Sequence, residues 1–135
     1  EIIIINEVIA MANLQQINVE SIKIPSDISK NLWNNHNITK EKITSYFKSK
    51  QYEYFKKGML KGQFKDKFDF SDKLKKEFNS NEDIEMNIAV EWLTFGEPIE
   101  VCKTYDGSIS ITNGYHRIVV AQEIGETSLF GIINE

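Results

Sequence analysis

Five consecutive residues, Asn113-Gly114-Tyr115-His116-Arg117, hold the side chains best suited to chemistry, and they fall where one kind of spacing gives way to another. Ile109 and Ile111 alternate with Ser108, Ser110 and Thr112, the period of a half-buried strand. Ile118, Val119, Ala121, Gln122 and Ile124 then follow helical spacing, and Gly125 is placed to end the helix. A helix start presents unpaired N–H groups and the positive end of the helix dipole, so an anion docks there at little further cost. Gly114 permits close approach and backbone angles closed to other residues. His116 and Arg117 add side-chain donors that suit phosphate oxygens. Arg117 is the one arginine among sixteen basic residues, and an arginine kept against such a lysine bias suggests that its flat, bidentate fork is used. The same five residues also fit a tight strand-to-helix turn in which Arg117 pairs with a surface carboxylate.

The elements that must position this junction fit into one domain. A chain of 135 residues can bury a single core without disulfides or metals. Cys102 is the only cysteine, which excludes an intramolecular disulfide and a C-x-x-C motif. No apolar run approaches 18 residues, so no membrane span is expected, and Ile2 to Ile5 lack the basic start of a signal peptide. The first residue is Glu1, as a piece cut from a longer polypeptide would show.

The net charge of −4 hides an asymmetry. Lys40 to Lys76 hold twelve lysines against five acids, a net +7, whereas the remainder has four basic residues against fifteen acids, a net −11. Such a split builds either a basic face that attracts nucleic acid or the solvated sides of short helices. Tyr52, Phe55, Phe64, Phe68 and Phe70 are interleaved with those lysines, a pattern that fits base stacking in single strands and equally the buried stripe of amphipathic helices.

Along the chain, Glu1 to Gln16 reads as a helix and Ile17 to Pro25 as a strand ended by the proline. Ser26 to Asn37 reads as a polar loop whose Trp33 packs over a core edge or lines a pocket. Helical spacing returns over Ile38 to Lys48, capped by Thr39 or Asn37, over Gln51 to Leu60, and from a Ser71 cap through Leu74 and Phe78. Ser80 to Phe95 is the strongest helix, with Ser80 and Asp83 as a capping box, Ile84, Ile88, Trp92 and Phe95 along one face, and Gly96 at its end. Strands follow at Ile99 to Lys103, at Ser108 to Thr112 after an Asp106-Gly107 hairpin turn, and at Leu129 to Ile133.

Gly96 to Glu135, GEPIEVCKTYDGSISITNGYHRIVVAQEIGETSLFGIINE, resembles the core of the ParB/sulfiredoxin-like domain, with its G-x-P-I-x-V phrase, hairpin, glycine-to-arginine turn opening a helix, and closing strand. INVESIKIP is similar to that family's first strand, and WNNHNITKEKI, more loosely, to its polar loop and following helix. The resemblance implies an α+β fold: a small mixed β-sheet with flanking helices, here one domain over residues 1–135 with a helical, lysine- and aromatic-rich insertion at about 50–79. It also implies that Gly114, Tyr115, His116 and Arg117 hold phosphate, with Asn113 shaping the turn, and that the loop brings His36 to the same pocket.

Tyr115 stands where sulfiredoxins carry a cysteine, and Tyr-His-Arg stands where the partition proteins carry Glu-Arg-Arg. Peroxiredoxin repair and a DNA clamp are therefore disfavoured, which leaves phosphoester chemistry. The expectation is a nuclease or related phosphoester hydrolase, the toxin domain of a larger polypeptide, acting in the cytoplasm after delivery as part of a secreted chain and met there by a cognate acidic inhibitor protein. His116, Arg117 and His36 are its candidate catalytic residues, one imidazole as base and the other as acid. A metal-dependent scheme would draw instead on Asp27, Glu97, Glu100 or Asp106, without a recognised metal spacing. A nucleotide-dependent small-molecule kinase binding ATP or CTP, and a non-catalytic protein- or nucleic-acid-binding module, are the alternatives.

Overall fold

The computed structural model describes residues 14–35, 37–78 and 81–134, with Glu82 described by its backbone alone. Four strands form one mixed sheet: β1 (Gln15–Asn18), β2 (Ile99–Lys103), β3 (Ile109–Asn113) and β4 (Ser128–Asn134), in the order β1-β4-β2-β3. β4 runs antiparallel to β1 and parallel to β2, and β3 closes the edge antiparallel to β2. The fold is thus α+β, with a mixed sheet and several helices around it. The β1 register puts Gln15 and Gln16 in a strand rather than at the end of a helix, because their main-chain groups are taken up by Phe130 and Gly131 of β4. The rest of the expected first helix lies outside the described residues, as does Ser80 of the expected capping box.

One row across the sheet fixes its centre. Gln15, Gly131 and Ile99 are register partners, and a Cβ on Gly131 would lie 2.4 Å from Ile99 Cγ1 and 2.9 Å from Ile17 Cδ1. Only a glycine lets the two isoleucines close over β4. The left-handed Gly114 (φ +109°) lies against the same Ile99, so one side chain anchors both the sheet centre and the junction after β3.

The helices are α1 (Ser26–Asn31), α2 (Lys40–Phe47), α3 (Lys50–Leu60), α4 (Lys67–Glu77), α5 (Ile84–Glu91) and α6 (Tyr115–Ile124). Thr39 caps α2 by accepting from Lys42 N at 3.2 Å, as its sequence position suggests. Asp66, not Ser71, caps α4, accepting from Asp69 N at 2.9 Å, so that helix starts four residues before the expected cap. A short helix, α1, stands in the segment read as a loop.

Residues 50–78, read as part of an insertion, contribute Tyr52, Phe55, Met59, Phe64, Phe70 and Leu74 to the core. Phe55 sits 5.7 Å from Phe95 and 5.8 Å from Phe130 of β4, centroid to centroid, and Phe64 and Phe70 are buried beside it. Most of the aromatics interleaved with lysines are therefore core; Phe68 stays exposed with the Lys67 ammonium 5.2 Å from its ring centroid.

The long helix expected from Ser80 to Phe95 is instead a 3-10 turn (Asn81–Asp83), α5, and a π-turn over Trp92–Gly96. Its buried side differs from expectation. Asn87 and Val90 face inward, with Asn87 accepting from Gln51 Nε2 at 3.1 Å and donating to the Phe78 carbonyl, whereas Ile84 and Ile88 face solvent. A buried amide costs little when both of its ends are bonded, so this polar residue displaced the isoleucines that spacing alone assigned to the core.

Candidate functional site

The junction from Asn113 to Arg117 is built as its sequence suggests: β3 ends at Asn113, Gly114 turns the chain, and α6 begins at Tyr115. No side chain caps α6, whose first intrahelical bond runs from Ile118 N to Gly114 O at 3.0 Å. The main-chain N–H groups of Tyr115, His116 and Arg117 therefore begin the helix without a side-chain acceptor from the capping residue. A Cβ at Gly114 would lie 2.6 Å from Ile99 Cγ2, so the glycine is required by contact as well as by its backbone angles.

The side chains that follow diverge. His116 is half-buried, with Nε2 2.7 Å from the Leu32 carbonyl oxygen and its ring edge-on to Trp33 at 5.0 Å. A carbonyl can only accept, so Nε2 carries the proton and Nδ1 holds the lone pair of the neutral ring. Trp33 also receives the Lys40 ammonium 5.6 Å from its ring centroid, and Lys40 pairs with Glu123 in the last turn of α6 at 3.1 Å. Gln122 Nε2 donates to the carbonyls of Val19 and Ile22 at 2.8 and 2.7 Å. These contacts clamp α6 to the β1–α1 and α1–α2 connections. Beside them opens a cleft of about 330 Å³ lined by Trp33, Asn35, Ile38, Thr39, Lys40 and Glu41.

Arg117 corrects the expectation of a phosphate-gripping fork. It is 3% exposed, donates through one terminal nitrogen to the carbonyls of Leu93 (3.1 Å) and Glu97, and lies with Cζ 5.1 Å from the Trp92 ring centroid. The guanidinium thereby supplies a donor to two carbonyls where the π-turn ends, Leu93 within it and Glu97 just after it. Burial lowers its pKa from 12.5 to about 10, against the opposing pull of the Glu97 carboxylate and the Tyr52 phenol. The guanidinium stays charged at neutral pH and is spent on the fold.

Tyr115 is half-buried against the core and Asn113 is exposed opposite Glu100 in β2. His36 lies outside the described residues, though its neighbour Asn35 lines the Trp33 cleft. The carboxylates considered for a metal are scattered: Asp27 is in α1, Asp106 accepts from Thr104 and Ser108 in the hairpin, Glu97 accepts from Trp92 Nε1, and Glu100 accepts from Asn134. Among the described residues no group of three or more His, Cys, Asp or Glu is arranged to hold a metal ion. None of their helices is long and apolar enough to cross a membrane.

Of the residues singled out in the sequence, the structure brings His116 and Trp33 together beside the Gly114 turn and places Trp33 on the cleft. Sequence reasoning did not point to Lys40, at the start of α2, or to the Leu32 carbonyl, in a connection whose path no spacing reveals. Comparison with protein-family models, curated proteins and solved structures finds no match to this chain.

Proposed function

We propose that this chain is a ParB/sulfiredoxin-like domain that binds a phosphate group of nucleic acid or nucleotide at the amino end of α6 and hydrolyses its ester there. The observation that carries the reading is the anchored imidazole: His116 Nε2–H donates to the Leu32 carbonyl, which leaves Nδ1 as a base on the first turn of an uncapped helix. Phosphate oxygens are held by the main-chain amides of that turn, at the positive end of the helix dipole. Water attacks phosphorus as Nδ1 takes its proton, the P–O bond to the leaving alcohol breaks, and solvent returns a proton to the alkoxide. The succession of hairpin, glycine turn, helix and a closing strand parallel to β2 supports the family resemblance.

The test is hydrolysis of single-stranded RNA, single-stranded DNA and nucleoside triphosphates by the purified chain, with and without divalent metal, alongside His116→Gln. The expected result is cleavage of one substrate class, reduced by roughly 10²-fold or more in a His116→Gln chain that circular dichroism shows still folded. Intact substrates under every condition, or full activity in His116→Gln, overturn the reading.

A further inference from the structure

Ile84, Ile88 and Trp92 stand four residues apart on the outer side of α5 and the π-turn, 51%, 61% and 36% exposed. Phe68 of α4, 58% exposed, shares a cleft with Trp92. Single exposed apolar residues are ordinary, but a row of three with a fourth beside it marks a contact surface. The row is a ridge with a groove on each side. One groove, about 310 Å³, lies against α2 with Lys42, Ile43 and Tyr46; the other, about 510 Å³, lies against α4 with Lys75 and Phe78. A ridge along i±4 positions between two grooves is the relief onto which another helix packs, at a crossing angle of about −50°.

We propose that this ridge is a homodimer interface, in which α5 of one copy crosses α5 of a second copy about a two-fold axis near Ile88. The charges around the ridge select that occupant. Lys42, Lys67 and Lys75 are matched by Glu85, Glu91 and Glu97 along the clefts beside the ridge. A nucleic acid would meet three carboxylates there, and a peptide of either sign would be repelled by half of the rim. A second copy is not. The two-fold axis reverses the helix, so the Ile84 end, with Lys75 and Glu85, faces the Trp92 end, with Lys67 and Glu91. Lys75 then faces Glu91 of the second copy along the α4 side of the ridge, a contact made twice. Among the described residues none of these four is in an ion pair within its own chain.

Sedimentation velocity on the 135-residue chain, from about 1 μM to 1 mM, reads the equilibrium directly. The expected result is a concentration-dependent monomer–dimer mixture whose dissociation constant rises at least about a hundredfold in Ile88→Asp, since one isoleucine from each copy loses its burial. The melting temperature of dilute Ile88→Asp stays that of the wild type, because the side chain is exposed in the monomer. Lys75→Glu and Glu91→Lys each weaken the dimer, and an equimolar mixture of the two variants restores it as a heterodimer. A monomer at every concentration, or a dimer indifferent to Ile88→Asp, overturns the proposal. So does a persistent monomer that binds single-stranded nucleic acid or an amphipathic helical peptide through Ile88, because the face then belongs to another partner.

Discussion

Replacing Arg117 by methionine separates a buried tie from a ligand-gripping fork. Methionine keeps much of the aliphatic volume but removes every donor, so the Leu93 and Glu97 carbonyls lose the guanidinium that serves them. Hydrogen bonds to a charged donor contribute about 1.5–3 kcal/mol each, and the contact with Trp92 adds about 0.5–1 kcal/mol. Against this, removing the ion relieves the burial that holds its pKa down to about 10, a cost of about 3 kcal/mol. The balance leaves Arg117→Met less stable by about 0.5–4 kcal/mol. Urea unfolding at pH 7 measures it, with Arg117→Lys as a control that keeps the charge but not the planar fork. Were the guanidinium an outward phosphate ligand, Arg117→Met would lie within about 0.5 kcal/mol of the wild type and abolish stabilisation by phosphate. That pair of results would refute the buried-tie reading.

Gly114→Ala places a Cβ 2.6 Å from Ile99 Cγ2 at a left-handed φ, and the strain and overpacking together are expected to cost about 2–4 kcal/mol in chemical denaturation. A loss below about 0.5 kcal/mol would show that the turn relaxes freely. Burial first, and then the Glu126 carboxylate, raise the Tyr52 phenol above its ordinary value, with Arg117 opposing. The unfolded tyrosine ionises near pH 10 while the folded one keeps its proton, so stability is full below that pH and falls by up to about 1.4 kcal/mol per pH unit above it. Tyr52→Phe should flatten this alkaline slope; an unchanged slope assigns it elsewhere. Asn87→Leu leaves the Gln51 amide and the Phe78 carbonyl without a buried partner and should cost about 2 kcal/mol or more, despite adding apolar bulk.

Strands β2, β3 and β4, the hairpin turn and the β3–α6 junction were legible because each has a local signal: alternation, Asp106-Gly107, and a glycine at each end of α6; β1 was not, since it spans Gln15–Asn18 rather than the expected Ile17 to Pro25. The orientation of α5 was not legible. Ile84, Ile88 and Trp92 recur with the period of a buried stripe, and periodicity identifies an apolar face without saying whether the chain itself covers it. The deciding feature is the Gln51–Asn87 bond between helices 36 positions apart, which no local pattern encodes. Arg117 failed for a related reason. Its isolation among lysines suggested a bidentate fork, but one terminal nitrogen serves two main-chain carbonyls, Leu93 in the π-turn and Glu97 just after it, which helical spacing does not foresee. The 50–79 segment resembled an insertion because it lacks a family counterpart, yet Phe55, Phe64 and Phe70 make it part of the core.

The same guanidinium underlies both proposed surfaces. Trp92 is held on one side by Arg117 and at its indole N–H by Glu97, so the ridge presents a ring whose rotamer is already fixed and little side-chain entropy is lost when a second helix docks. Arg117 is also the third residue of α6, adjacent to His116, and its bonds to Leu93 and Glu97 hold the helix start against the π-turn. Arg117→Met should therefore weaken self-association and any phosphate binding together, although the residue touches neither partner. Ile88→Asp should disturb only association, and His116→Gln only the phosphate site. If Arg117→Met reduced one property and spared the other, the π-turn would not be the shared support of both, and Trp92 or the α6 start would have to be fixed by other contacts.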